Sequence, residues 1–218
     1  MNSNREKVLA FGRIVGYVSG FFSEYEGSEG KSSDRLSFSS MSDAKLFSRD
    51  LLAVFSVHSC VTSSVSSGNG KSTRVTYHIH IPAWLVEEAE SFRTSNPSLN
   101  TLPQSFVREI VAAFFGACSS TPLPNATTLE NTQHIRNISF LEVRSTCAII
   151  DWISGGLQKV NIYGSKDLST LSMQGSSKLL AFEQSVGFRY NERNSFYLSA
   201  ACSYHNYIER CAKVGTKG

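Results

Sequence analysis

The chain has 218 residues and 24.0 kDa, room for one compact domain or two of about 100 residues each. With 41% hydrophobic and 18% charged residues it is no disordered chain, and its longest apolar runs, such as Ile110–Phe115, fall far short of the roughly 20 residues that span a bilayer. The net charge of +3 lies wholly in the second half: residues 1–100 carry 10 Lys and Arg against 10 Asp and Glu, residues 101–218 carry 11 against 8. So small an excess permits nucleic-acid binding without arguing for it, and no membrane partner is expected.

Serine is the compositional anomaly, at 36 residues against 5 prolines. Short hydroxyls on that scale must occupy strand faces as well as loops. The five cysteines (Cys60, Cys118, Cys147, Cys202 and Cys211) form no CxxC pair. They read as reduced, mostly buried small hydrophobes of an intracellular or organellar protein. No secretory leader is expected, because Val8–Phe22 is interrupted by Gly12, Arg13, Gly16 and Gly20.

Residues 5–22 are apolar at helical spacing, and Gly12, Gly16 and Gly20 recur every four residues on one face. Each mid-helix glycine costs about 1 kcal/mol relative to alanine. Three in a row predict the close approach of another helix. A polar turn (24–33) leads to a strand at 34–40, then to an amphipathic helix at 43–57 with Ser42 as its N-cap. Strands near 58–66 and 72–81 flank the turn Ser67-Gly68-Asn69-Gly70. The second of these alternates, with Val75, Tyr77, Ile79 and Ile81 on one face and Arg74, Thr76, His78 and His80 on the other. A helix from Pro82 to Phe92 and a linker at about 94–103 complete the first half.

The order then repeats. Residues 104–117 are a second apolar helix with small-residue rows Ala113–Ala117 and Ala112–Gly116. A strand near 134–143 and a helix at 145–154 follow. Next come strands at 158–164 (Val160 and Ile162 inward, Lys159 and Asn161 outward) and 169–175 (Leu171 and Met173 inward, Thr170, Ser172 and Gln174 outward). Helices at 177–186 and 194–213 close the chain. Such duplication is a signal at the level of the fold.

Three stretches carry a family likeness. Ile14–Phe22 and Phe106–Ala117, the latter preceded by Leu102-Pro103, resemble the two signature helices of LAGLIDADG homing endonucleases in their single-chain, two-repeat form. Phe182–Tyr190 resembles the phrase that ends the second repeat in organellar members. The resemblance implies an α+β fold of two pseudo-symmetric αββαββα repeats, residues 1–100 and 101–218. Its two four-stranded antiparallel sheets would form a saddle on nucleic acid, in a monomer with internal pseudo-twofold symmetry. It also implies that Gly12, Gly16 and Gly20 meet Ala113, Gly116 and Ala117 at the repeat interface. The binding face would then hold Arg35, Ser37, Ser39, Arg74, Thr76, His78, His80, Lys159, Asn161, Thr170, Ser172 and Gln174, suited to phosphates and base edges.

In that family each signature helix ends in an acid that holds a divalent ion for phosphodiester hydrolysis. Phe21 and Cys118 stand at those positions here, and no Asp or Glu occurs between Glu109 and Glu130. Glu24 and Glu26 lie just past the first helix and could compensate on one side only. The expectation is therefore a chain without catalytic residues, metal or cofactor. Gly68–Thr73 lacks the first glycine of a phosphate-binding loop, since position 65 is Val65, and reads as a turn. His78 and His80 share a face but have no third ligand nearby. Tyr190, Tyr197, Tyr204 and Tyr207 read as packing residues before base-stacking ones.

The expected function is a non-cleaving nucleic-acid binder that favours RNA over DNA. A structural place in a mitochondrial ribosome, among ribosomal proteins, leads; a chloroplast setting is the second choice. The small net charge fits a partly buried assembly component better than a free DNA scanner. An intron maturase, an active endonuclease with displaced acids, and a scaffold are the alternatives.

Overall fold

The computed structural model describes residues 2–23, 34–68, 71–120 and 140–215. Its order is α1 (Asn2–Ser23), β1 (Arg35–Phe38), α2 (Met41–Phe55), β2 (Val61–Gly68), β3 (Lys71–His80) and α3 (Ala83–Ser95), then a short 3-10 turn (Leu99–Thr101). The same order follows in α4 (Gln104–Cys118), β4 (Phe140–Arg144), α5 (Cys147–Lys159), β5 (Ser165–Lys166), β6 (Thr170–Gln174) and α6 (Ser176–Ser185), with α7 (Glu192–Gly215) added at the end. The sheets are antiparallel and ordered alike, β1-β3-β2 and β4-β6-β5. Each half therefore reads αβαββα.

Among the described residues each sheet has three strands, where four were expected. The expected turn at 24–33 and the start of the strand at 134–143 lie outside the described residues. The strand expected at 158–164 is a misreading. Lys159 ends α5, Val160 caps it, and Asn161 takes a left-handed φ of 62°. The Ile162 N–H turns back to the Leu157 carbonyl at 2.9 Å. Val160 and Ile162 are buried as expected, at 4% and 2% exposure, but from a helix end and its turn. The N-cap of α2 is Ser40, whose hydroxyl accepts from the Asp43 N–H, and not Ser42. Ser42 instead donates to Glu192 at 2.7 Å, tying α2 to α7.

The centre of the molecule is the α1–α4 pair. A Cβ placed on Gly12 would touch the Phe106 ring at 2.9 Å, on Gly16 the Ile110 carbonyl oxygen at 2.2 Å, and on Gly20 the Phe114 carbonyl oxygen at 2.8 Å. Each four-residue step along α1 meets a four-residue step along α4 in the same direction, so the helices run parallel with backbones in contact. Ala117 meets Gly20, and Ala113 packs into the core of the first half.

Gly116 does something else. It faces the Arg189 carbonyl oxygen, which an added Cβ would approach to 2.0 Å, and it is not part of the helix–helix contact. The Arg189 N–H donates to the Ala112 carbonyl at 3.1 Å, and the Asn191 side chain to the Gly116 carbonyl at 2.8 Å. The two small-residue rows of α4 thus admit two neighbours: Ala113–Ala117 admits α1, and Ala112–Gly116 admits the chain at 189–191.

Each half builds its own core and lends side chains to the other. Val15 of α1 sits in the second core, while Ala113 of α4 and Tyr190 sit in the first. The segment between the halves is packed, with Leu99 fully buried and the Trp152 indole donating to the Asn96 carbonyl at 3.0 Å. Among the described residues no helix is long and apolar enough to cross a membrane. Cys118 and Cys202 are buried, whereas Cys60 and Cys147 are exposed, against the expectation of mostly buried thiols. Burial, first, and then Glu183 push the Cys202 thiol up to about 12, so it stays protonated.

A polar network fastens the junction. The Arg13 guanidinium grips Asp50 through two bonds, at 2.7 and 3.0 Å, and also reaches Glu6 at 2.7 Å and Glu109 at 3.4 Å. Glu109 takes two further bonds from Arg189, at 2.9 and 3.0 Å. The Tyr190 hydroxyl donates to Asp50 from a left-handed backbone position of φ 56°. Burial works against the charge on Arg13, yet the bonds to Asp50 and Glu6 outweigh it and hold its pKa above the usual arginine range. Burial, then Asp50, keep the Tyr190 phenol protonated far above its ordinary pKa.

Candidate nucleic-acid interface

Strand alternation sorts the first sheet, although Val75, expected inward, is 40% exposed toward the hairpin end. Leu36, Phe38 and Ile79 are buried against α1 and α2, leaving Arg35, Ser37, Arg74, Thr76, His78 and His80 on the opposite face. The register adds Thr62, Ser64 and Ser66 from β2, which pair with His78, Thr76 and Arg74. These three were not expected in the face. Their strand alternates valine with serine and threonine weakly, so the partner strand, and not the sequence, reveals which side they take. Ser39 lies beyond the end of β1, exposed in the bend before α2.

His78 is the unusual member. On the outward face of the central strand it is only 6% exposed. Its Nδ1 lies 3.0 Å from the Ser37 hydroxyl on β1, and its Nε2 lies 2.7 Å from the Ser64 hydroxyl on β2. The ring thus bridges all three strands with both nitrogens engaged. Burial lowers its pKa below the ordinary histidine value, assisted by the charges of Arg35 and His80. His80 is turned toward Asp34, 3.6 Å away, so the two imidazoles do not form a joint metal site.

The second sheet keeps Leu141, Val143, Leu171 and Met173 wholly buried, and Thr170, Ser172 and Gln174 lie opposite. The register places Glu142 and Arg144 beside them, joined by a 2.6 Å ion pair. The alternation of Phe140–Arg144 carries that placement in the sequence itself. Lys159 and Asn161 do not belong to the face. The Lys159 ammonium donates to the Asn100 carbonyl at 2.7 Å, and Asn161 occupies the turn after α5. The first sheet is therefore the more basic, while the second carries a self-neutralising pair.

Tyr190 is core, stacked edge-on against Tyr17 and Phe47, as its packing reading expected. Tyr197 lies under the Arg193 guanidinium, 5.7 Å from its ring centre. The side chains of Tyr204 and Tyr207 lie outside the described residues.

At the ends of the central helices stand Phe21, half-buried against Tyr17 and Phe22, and Cys118, whose thiol donates to the Phe114 carbonyl at 3.2 Å. Ring carbons and a buried thiol do not fit a magnesium ion, which demands oxygen ligands. Among the described residues no three His, Cys, Asp or Glu side chains gather as a metal site. Glu24 and Glu26 lie outside the described residues. Glu142 is joined through its backbone to the residues just after α4: its N–H donates to the Ser120 hydroxyl at 3.0 Å and its carbonyl accepts from the Ser120 N–H at 2.8 Å. Its side chain is committed to Arg144.

No protein-family model matches the chain, and no curated protein matches it. Among solved structures, full-length DUF199/WhiA from Thermatoga maritima aligns over 99% of this chain and 74% of its own, at 14% identity and a TM-score of 0.49. The I-DmoI structure in complex with DNA and Mn aligns over 81% of this chain and 97% of its own, at 12% identity and a TM-score of 0.46. Mesophilic variants of the homing endonuclease I-DmoI align over 84% and 99%, at 12% identity and a TM-score of 0.44. In its own terms the chain is an α+β protein, with two like-ordered halves around a parallel helix pair.

Proposed function

We propose that this protein binds nucleic acid on the outward faces of its two sheets and does not cut it, with structured RNA of an organellar ribosome as its target. The carrying observation is the first sheet. Arg35, Arg74 and His80 surround a field of hydroxyls, with no carboxylate among the described side chains of its strands. Arginines of this kind supply phosphate contacts, and serines, threonines and histidine supply contacts to bases and sugars. Hydrolysis would need hard oxygen ligands at the helix ends, where Phe21 and Cys118 stand instead.

A metal-dependent endonuclease is the second reading. It is favoured by the position of Glu142 beside the end of α4 and opposed by its pairing with Arg144. Sedimentation of an organelle lysate separates the possible RNA targets, since comigration with a ribosomal subunit or with intron RNA distinguishes the ribosomal component from the maturase.

The direct test is the double charge reversal Arg35→Glu/Arg74→Glu. It should weaken RNA retention at least tenfold at low salt, and should reduce the slope of log affinity against log salt by about two. Unchanged affinity and slope would place the contact elsewhere.

A further inference from the structure

The His78 cluster carries a consequence beyond general nucleic-acid binding, and it rests on that reading. A neutral imidazole has one N–H and one lone pair. With Ser37 on Nδ1 and Ser64 on Nε2, one serine must accept from the ring and the other must donate to it. The accepting serine keeps its own proton for the open side of the sheet. The donating serine has spent its proton and shows the ligand only lone pairs. When the ring gains a proton, both nitrogens donate, both serines accept, and both hydroxyl protons are freed toward the ligand.

We infer that His78 is a positioning residue that sets the hydrogen-bonding character of Ser37 and Ser64 toward nucleic acid, so that its protonation and the binding of phosphate to this face reinforce one another. Exposure fits the role. The ring itself is closed off, whereas Ser37 is partly open and Ser64 exposed. Ser37 is anchored further through its carbonyl, which accepts from the Tyr17 hydroxyl at 2.8 Å, so its hydroxyl is presented from a fixed backbone.

The charged groups facing the cluster are few. Arg35 comes from β1, His80 and Arg74 share β3 with His78, Asp34 stands at the edge against His80, and β2 offers only Thr62, Ser64 and Ser66 among its described side chains. In the free protein Arg35 and His80 oppose a second positive charge here. A phosphate group laid across Ser37 and Ser64, with one oxygen on each hydroxyl, would reverse that balance, because it calls for donors and for positive charge. Binding must then draw a proton onto His78, and the affinity must rise as pH falls through the histidine range.

The test uses full-length protein carrying His80→Gln, which silences the neighbouring imidazole, and a short RNA hairpin as probe. The ring nitrogens of His78 are followed by NMR while affinity is measured between pH 8 and pH 5.5. The apparent pKa of His78 should rise by about one unit on saturation with RNA, with a gain in affinity toward pH 5.5 that approaches about tenfold only where pH lies below both the free and the bound pKa. His78→Gln, whose amide still offers one donor and one acceptor but takes up no proton in this range, should lose the acid gain and bind with an affinity that no longer rises between pH 8 and pH 5.5. His78→Phe should bind more weakly at every pH while melting as a folded protein. An RNA that binds, and is weakened by Arg35→Glu/Arg74→Glu, yet leaves the pKa of His78 where it was, or gains as much at acid pH when His78 is replaced by Gln, would overturn this inference and leave the binding face standing. An RNA that fails to bind at any pH would overturn both.

Discussion

A Gly16→Leu substitution is expected to destabilise the protein by about 3 kcal/mol or more, at the upper end of overpacking penalties. The reason is local and severe. Even a single Cβ at Gly16 would stand 2.2 Å from the Ile110 carbonyl oxygen and 2.9 Å from its carbonyl carbon and Cα. Those are backbone atoms of α4, so relief requires moving the helix, and α4 is buried along nearly its whole length. Moving it would open both cores, since its Ile110 belongs to one and its Ala113 to the other. In a domain of this size the loss lowers the melting temperature by about 6–12 °C.

Gly155, in the middle of α5, supplies the contrast. A Cβ there meets nothing within 4 Å. Gly155→Ala should therefore gain up to about 1 kcal/mol from helix propensity. Thermal melts of the two variants check both signs together. A Gly16→Leu protein that melts with the wild type would mean that the central helices are not in backbone contact.

Arg13→Met carries the second large effect. The side chains of Arg13, Asp50 and Glu109 are only 13%, 14% and 11% exposed, so the charges left behind would be poorly solvated. Asp50 would keep only the Tyr190 hydroxyl of the partners given above. Breaking such a pair from one side typically costs about 3 kcal/mol or more, because an uncompensated charge stays buried. The double variant Arg13→Met/Asp50→Asn removes that charge while leaving an acceptor for Tyr190. It should recover more than about 1 kcal/mol of the loss, a coupling of the size seen between residues in one network. Denaturant titration of the single and double variants measures it. Simple additivity would show that Arg13 contributes through its packing alone.

The two halves differ in how far they were legible. The glycine row of α1 spoke through its spacing, because residues four apart share a helix face whatever else surrounds them. The sharp alternation of β3 spoke in the same way. The second row of α4 was visible, yet its partner was not. Nothing near Gly116 in the chain announces that residues 189–191 will lie across it.

Residues 158–164 failed for a related reason. Val160 and Ile162 alternate with polar residues, as a strand does, but the left-handed turn at Asn161 that buries both is fixed by α5 and not by local preference. The Arg13 network joins residues 37 and 96 positions apart, and no single-strand pattern encodes the bridging of His78 by Ser37 and Ser64. Sequence periodicity assigns a residue to a face; the neighbours on that face come from the register.

Photo-crosslinking of the wild-type protein to end-labelled RNA in the presence of magnesium, followed by identification of the modified peptides, reads contact and cleavage in one sample. The account predicts an intact strand attached to peptides spanning 35–38 and 71–80, with weaker attachment at 170–174. A shortened strand, or attachment confined to α5 and α7, would contradict it.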